Sequence, residues 1–417
     1  MLSELLSNID ESELIRKKKT EYKIKGINLR ANRKYVRTIL TINGPLEISR
    51  YVLRPKTKSD ADLLLKKEKI KTVVPLDNYL RLSSLPFSMT PEIMLDAAFW
   101  AQSQSSYQEA EEAIYRARKL KINDDTIRQV THYIGKIVFQ EDCKRADDAY
   151  NKLNSGKLIF PDSKKKGVLY IEADGATVNT RSKDESGSSW KENKLGIVFS
   201  SDNIYTWTNN KGEKQSQINK REYTTFIGGV SEFKKHLLYC ALKNGYGHYE
   251  KTIFLGDGAT WLRNMCEEVF PDAQQILDFY HLCENVNTYA KHIFGIEVSL
   301  YSDWANKMCA LLRESLWNEV LDDLSKRKNP ANCPIDLLGY ITNNIANIDY
   351  KRYIKEGFYI GSGAIESGNK SVLQHRLKQA GMRWNVVTAQ SILTLRSKYK
   401  SGLWVQDVQN PIMGFLS

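Results

Sequence analysis

Residues 251–264 read KTIFLGDGATWLRN. The β-branched, apolar run that begins at Thr252 stops at Gly256-Asp257-Gly258, and from about 259 to 269 the apolar spacing turns helical. A strand passing into a helix therefore delivers an acid at the strand's carboxyl end. Upstream, GVLYIEADGA (167–176) repeats the ending, and its alternation points Tyr170, Glu172 and Asp174 to one face. Gly175 leaves room there for a ligand or phosphate to approach. KLGIVFSSD (194–202) and the shorter AQQILDFYH (273–281) read as further strands, with helical segments at about 231–243 and 259–269. Strands alternating with helices predict an α/β sheet domain. A single strand-end aspartate is most simply a turn cap. Two in one sheet point to a ligand site, because parallel strands collect ligands at their carboxyl ends.

A third acid lies far downstream, Glu366 in GSGAIESGNKSVLQHRLKQAGMRW (361–384). Residues 284–355 are helical, rich in Leu, Trp and Asn and without a strand pattern, so they read as an all-helical insertion. The chain returns with helices at roughly 363–379 and 385–400. Helical spacing predicts that Glu366, Asn369 and Lys370 share a face. As a mere surface pair, Glu366 and Lys370 would contribute only ~0.3–0.5 kcal/mol. That reading leaves Gly361-Ser362-Gly363 unexplained, which suggests a backbone fitted closely against something. Acids from separate parts of the chain can share hard divalent cations, and paired cations attack a phosphodiester in line.

Composition agrees with a nucleic-acid partner. The 417 residues hold 61 Lys+Arg against 49 Asp+Glu, a formal charge of +12, which favours a polyanion. No run of ~18 apolar residues predicts a membrane span, and the first twenty residues lack the apolar core of a secretory signal. Six scattered cysteines with no CxxC pair predict a reduced, cytoplasmic chain. Asp278-x2-His281-x-Cys283 matches no structural zinc spacing. Asp278 and His281 read instead as supporting residues that orient a catalytic acid or contact a phosphate. Core packing is the default for Trp384, but its basic surroundings also suit stacking on an unpaired base.

The N-terminal part, about 1–160, is mostly helical. An exposed helix over the first ~20 residues ends in Arg16-Lys17-Lys18-Lys19. A hairpin at about 36–54 turns at Asn43-Gly44, with Arg37, Arg50 and Arg54 decorating it. Helices occupy about 90–150, opening at Thr90-Pro91. The pair around 106–135 is either an ordinary helical hairpin or a helix-turn-helix offering Thr126, Arg128, Gln129 and His132 to a DNA groove. The polar run 163–166 leads into the α/β domain. That domain would occupy 165–283 and, beyond the insertion at 284–355, 356–417.

Together the blocks TINGPLEISRYVLR, SYQEAEEAIYRA, IEADG, FLGDGATWLRN, ILDFYHL and IESGNKSVLQHRLKQAGMRW resemble a bacterial insertion-sequence transposase of the ISLre type, a DDE group akin to Mutator-like transposases. The resemblance implies an RNase H-like catalytic core interrupted by a helical insertion, with Asp174, Asp257 and Glu366 as first, second and last acid. It also implies an N-terminal region that binds the element's terminal inverted repeats, and a homo-oligomer on double-stranded DNA associated with the nucleoid. In the two-metal account Asp174 bridges two Mg²⁺ or Mn²⁺ ions ~3.5–4 Å apart, and Asp257 and Glu366 hold one each. Lys370, Arg376, Lys378 and Arg383 would track the DNA backbone. A nuclease without strand transfer, or a non-catalytic DNA-binding regulator, are the alternatives.

Overall fold

The computed structural model describes residues 9–183, 185–212, 214–327, 330 and 332–416. It divides into two compact units: the described residues up to Ile134 together with those from Val408, and Gly135–Asp407. The first eight residues of the expected N-terminal helix lie outside the described residues. Its remainder is α1 (Glu11–Ile24), opened by Asp10, whose carboxylate accepts from the Glu13 N–H. Among the described residues no helix is long and apolar enough to cross a membrane.

In the first unit β1 (Leu29–Thr41) and β2 (Gly44–Pro55) form an antiparallel hairpin longer than the alternation suggested. Its turn sits one residue earlier than expected. Thr41 pairs with Gly44, so Ile42 and Asn43 make the turn, and of these positions only Gly44 takes a positive φ, +117°. Next come α2 (Lys58–Glu68), held by a Thr57/Asp60 capping box, and α3 (Pro75–Tyr79). Two of the arginines on the hairpin are structural. Arg37 and Arg50 reach Asp77 at 2.8 and 2.6 Å, and Asp77 is buried; breaking a pair buried in this way costs about 3–5 kcal/mol. Helices α4 (Pro91–Ser103) and α5 (Tyr107–Arg118) follow, and α6 (Asp124–Asn154) starts in this unit and runs on into the second from Gly135. Asn123 caps α6 through the Thr126 N–H at 2.8 Å. Arg128 and Gln129 are exposed and bonded to Asp125, while His132 is turned to the Tyr107 hydroxyl at 2.7 Å.

The second unit is a mixed α/β layer structure. Strands β3 (Lys165–Asn179), β4 (Trp190–Ser200), β7 (Glu222–Ile227), β8 (Tyr249–Gly256) and β9 (Gln274–Leu277) form one sheet in the order β7-β4-β3-β8-β9. β4 runs antiparallel to β3 and β7, whereas β3, β8 and β9 are parallel. A small hairpin, β5 (Ile204–Thr208) with β6 (Lys214–Ile218), projects between β4 and β7. Leu169, Ile171 and Ala173 face α7 (Val230–Lys243) and α8 (Thr260–Val269), and pack with Phe233, Leu237 and Leu262 into the main core. The alternate residues Tyr170, Glu172 and Asp174 are left for the opposite face.

Five helices follow β9 with no strand among the described residues: α9 (Phe279–Phe294), α10 (Val298–Arg313), α11 (Trp317–Ser325), α12 (Leu337–Asn343) and α13 (Tyr350–Lys355). The chain then returns to the open face. α14 (Gly363–Gly368) passes through a wide π-helical turn, Asn369–Gln374, into α15 (His375–Leu377). α16 (Val386–Lys400) covers the exposed side of edge strand β7. There the Gln390 amide accepts from the Ile227 N–H at 2.7 Å and donates to the Thr225 carbonyl at 3.1 Å, which blunts an edge open to another strand.

Candidate functional site

The parallel pairing of β3 and β8 fixes the site's frame. Glu172 lies opposite Leu255, and extending that register by two residues sets Asp257 beside Asp174, on strands ~4.8 Å apart. Asp174 is half-buried. Its Oδ1 accepts from the Gly175 N–H at 2.7 Å and its Oδ2 from the Asn369 Nδ2 at 2.6 Å. Burial holds its carboxyl above the usual range; Asp257 and Glu366 add to this and His281 opposes it, so all three stand close enough to be felt. Asp257 makes a tight turn, its Oδ1 accepting from the Ala259 N–H at 2.9 Å, and its carbonyl takes the Tyr340 hydroxyl at 2.6 Å. Glu366 is exposed on α14.

Asp278 and His281 take different parts. Asp278, 2% exposed, is the N-cap of α9. It accepts from the N–H groups of Tyr280 (2.8 Å), His281 (3.3 Å) and Ser362 (3.2 Å) and from the Ser362 hydroxyl. It therefore ties the end of β9 to the glycine-serine loop and has no face for a phosphate. His281, in the first turn of α9, is part-exposed, with the Glu284 carboxylate 3.7 Å from its Nδ1. The tight fit of the loop is against Tyr280: a Cβ at Gly361 would meet that ring at 2.4 Å.

Several placements depart from the sequence reading. The space over Gly175 holds the half-exposed Glu192 carboxylate, which a Cβ there would meet at 2.4 Å. Arg376 is 1% exposed and Trp384 8%. The guanidinium lies 5.2 Å from the Trp384 ring, whose Nε1 donates to the Leu377 carbonyl at 3.3 Å. Neither can contact a DNA backbone or stack on a base, since they pack on each other inside the unit. Lys370, Lys378 and Arg383 are exposed. Asn369 is 5% exposed rather than level with Glu366 and Lys370, as the π-helical turn begins at that residue.

Sequence reasoning gave no role to Glu172. It is 1% exposed, accepts the Ile365 N–H at 2.9 Å, and is pushed up to about 8 by burial, with Asp278 and Glu366 adding to the shift. Strand alternation had set it on the face of Asp174, and that was its only signal. Tyr340, inside the helical stretch, carried no signal at all.

Among the described residues no three His, Cys, Asp or Glu side chains converge into a ready-made metal cage. A comparison with curated proteins gives no match. Among solved structures, the "Crystal structure of NurA bound to dAMP and manganese" is 15% identical, covering 65% of this chain and 62% of that one with a TM-score of 0.11, a likeness that carries no argument. A family model described as "Uncharacterised protein family (UPF0236)" matches residues 1–410. The chain belongs to the UPF0236 family.

Proposed function

We infer that this chain is a DDE transposase of an insertion sequence, of the ISLre type, which cleaves DNA at terminal inverted repeats and joins it to a target. One observation carries the reading. Asp174, inside β3, and Asp257, just past the end of the parallel neighbour β8, lie on adjacent strands, and the segment bearing Glu366 returns after a helical stretch to hydrogen-bond Asp174 through Asn369. The order β7-β4-β3-β8-β9, with β4 antiparallel to the other four strands, is the arrangement expected of an RNase H-like core and supports it further.

The donor set fits divalent metal. Asp174, Asp257 and Glu366 are hard oxygen donors, burial and the other two acids hold the Asp174 carboxyl above its usual range, and the buried Oδ1 of Asn369 has no hydrogen-bond partner among the described residues. Asp174, Asp257 and Glu366 would hold two Mg²⁺ or Mn²⁺ ions, which when bound supply Lewis-acid activation of the attacking hydroxyl and charge neutralisation at the leaving oxygen. The chain's own residues do the positioning. Asn369 fixes one oxygen of Asp174, Asp278 locks the loop before α14, and Tyr340 braces the Asp257 turn. Lys370, Lys378 and Arg383 offer exposed cations to the backbone of the DNA.

The test is to incubate the protein and Mn²⁺ with DNA carrying its own flanking repeats, then map cut and joined products. Asp174→Asn, Asp257→Asn and Glu366→Gln are each expected to abolish cutting while DNA affinity persists. Cutting without joining of pre-cleaved ends would make the protein a nuclease. Binding with no metal-dependent nicking would make it a regulator.

A further inference from the structure

On the face of the sheet that carries Asp174, a pocket of about 320 Å³ opens among β3, β4, the segment from β6 to β7 and the start of α14. Glu172, Phe199, Arg221, Tyr223, Tyr359 and Ala364 are among its lining. Ligand pockets span about 300–1,000 Å³, so this one suits a single flat heterocycle better than a peptide or a paired helix. Three aromatic side chains wall it. Tyr170 backs two of them, its ring stacked on Phe199 at 5.2 Å and tilted against Tyr359 at 5.3 Å. The Arg221 guanidinium stands 5.7 Å from the Tyr223 ring and is held by the Ile218 carbonyl at 2.7 Å. The buried Nε of Arg221 has no hydrogen-bond partner among the described residues. Glu172, Ser216 and Ser367 complete a lining whose side chains include both donors and acceptors. Flat apolar walls with a few edge-on polar groups are the chemistry that recognises a nucleobase.

The pocket's position matters as much as its lining. Glu172 and Asp174 are alternate residues on one face of β3, so their Cα atoms lie about 6.6 Å apart along the strand. That is close to one nucleotide step. We propose that this pocket takes one unpaired nucleobase from the DNA strand held at Asp174, which rests on the DNA-cleaving reading of the three acids. Holding a splayed base there would fix the register of the neighbouring phosphate over the acids.

The test measures binding of the full chain, with no divalent metal added, to a blunt duplex and to the same duplex ending in one unpaired 2-aminopurine nucleotide. The unpaired end is expected to bind roughly tenfold more tightly and to lose fluorescence on stacking. Gly363→Leu adds bulk to the pocket lining at a position where a Cβ meets nothing within 4 Å. This variant and Tyr359→Ala are expected to erase the preference while blunt-duplex binding stays as in the wild type, which also reports intact folding. Wild-type binding to the blunt duplex without preference for the unpaired end overturns the pocket alone, as does a preference that survives both variants. Failure to bind either DNA overturns the DNA reading of the acids and the pocket with it. A third arm uses adenosine and thymidine monophosphates. Their binding, lost in Gly363→Leu and unaccompanied by any preference for the unpaired end, would assign the pocket to free nucleotide and overturn the strand.

Discussion

Asn369 is neutral and buried, yet it fixes one oxygen of Asp174. Its amide N–H favours the ionised carboxylate and sets its rotamer, while burial and the neighbouring acids push the other way. Removing such a partner from a ligand carboxylate is expected to lower metal-dependent cleavage roughly 10–100-fold. Asn369→Ala should also raise the Mg²⁺ concentration needed for half-maximal rate, whereas Asn369→Asp should do worse by setting a like charge against Asp174. Initial nicking rates across a Mg²⁺ titration decide it, and an unchanged profile for Asn369→Ala would remove Asn369 from the site. A glycine after a β-branched run made Asp174 and Asp257 legible, but it marks a strand end only at Asp257, since β3 runs on through Asp174 and Gly175 to Asn179. The sequence put Asn369 on the wrong surface because i, i+3, i+4 spacing assumes a regular helix, and a π-helical turn has no local signature in NKSVLQ. Arg376 misled for a related reason, since a basic run hides which cations point inward, whereas Trp384 took the core packing that was its default reading.

Among the helices, α7 shows how an element becomes sensitive to acid. Its His236 stacks on Phe139 of α6 at 5.9 Å with the ring planes 2° apart, and Phe226 of β7 lies 5.5 Å away. Burial holds the imidazole below its ordinary value of 6.5 and Lys398 pushes the same way, against Asp142, Glu232 and Asp147. Below pH ~6.5 the unfolded chain binds a proton that the folded one refuses. The stability contributed by neutral His236 is thus fully present above that pH and is lost as pH falls towards the lowered folded value. His236→Phe is expected to flatten the fall in melting temperature between pH 7 and 5.5, as calorimetry of both proteins would show; an equal fall in the variant would count against it. The strands and helices around His236 were readable from periodicity. The stacking was not, because Phe139 and His236 lie 97 positions apart and no local pattern joins them.

At the scale of the whole molecule the excess of 61 basic over 49 acidic side chains is only partly free to meet a partner. Arg37, Arg50, Arg376 and Lys398 are engaged inside the fold. Lys370, Lys378 and Arg383 remain exposed near the C-terminal helices, and replacing any one by Ala should reduce the salt slope of DNA binding by ~1. Binding curves from 50 to 200 mM salt, at about the range over which counterion release is felt, test this, and an unchanged slope would free that residue of any phosphate. Total charge was legible from composition, but its division between structure and surface needed the tertiary fold. The compact units likewise part at Ile134 and Gly135, within the continuous helix α6, where no linker-like composition marks a border. The hydrogen bond from Asn369 to Asp174 spans 195 positions. At about 5–20 residues per second of synthesis, a ribosome needs about 10–40 s to travel from one to the other. Throughout that interval the nascent chain carries Asp174 and then Asp257 but has neither Glu366 nor the amide that orients them. The two acids and the amide that orients them therefore meet only late, after 195 further residues have been made.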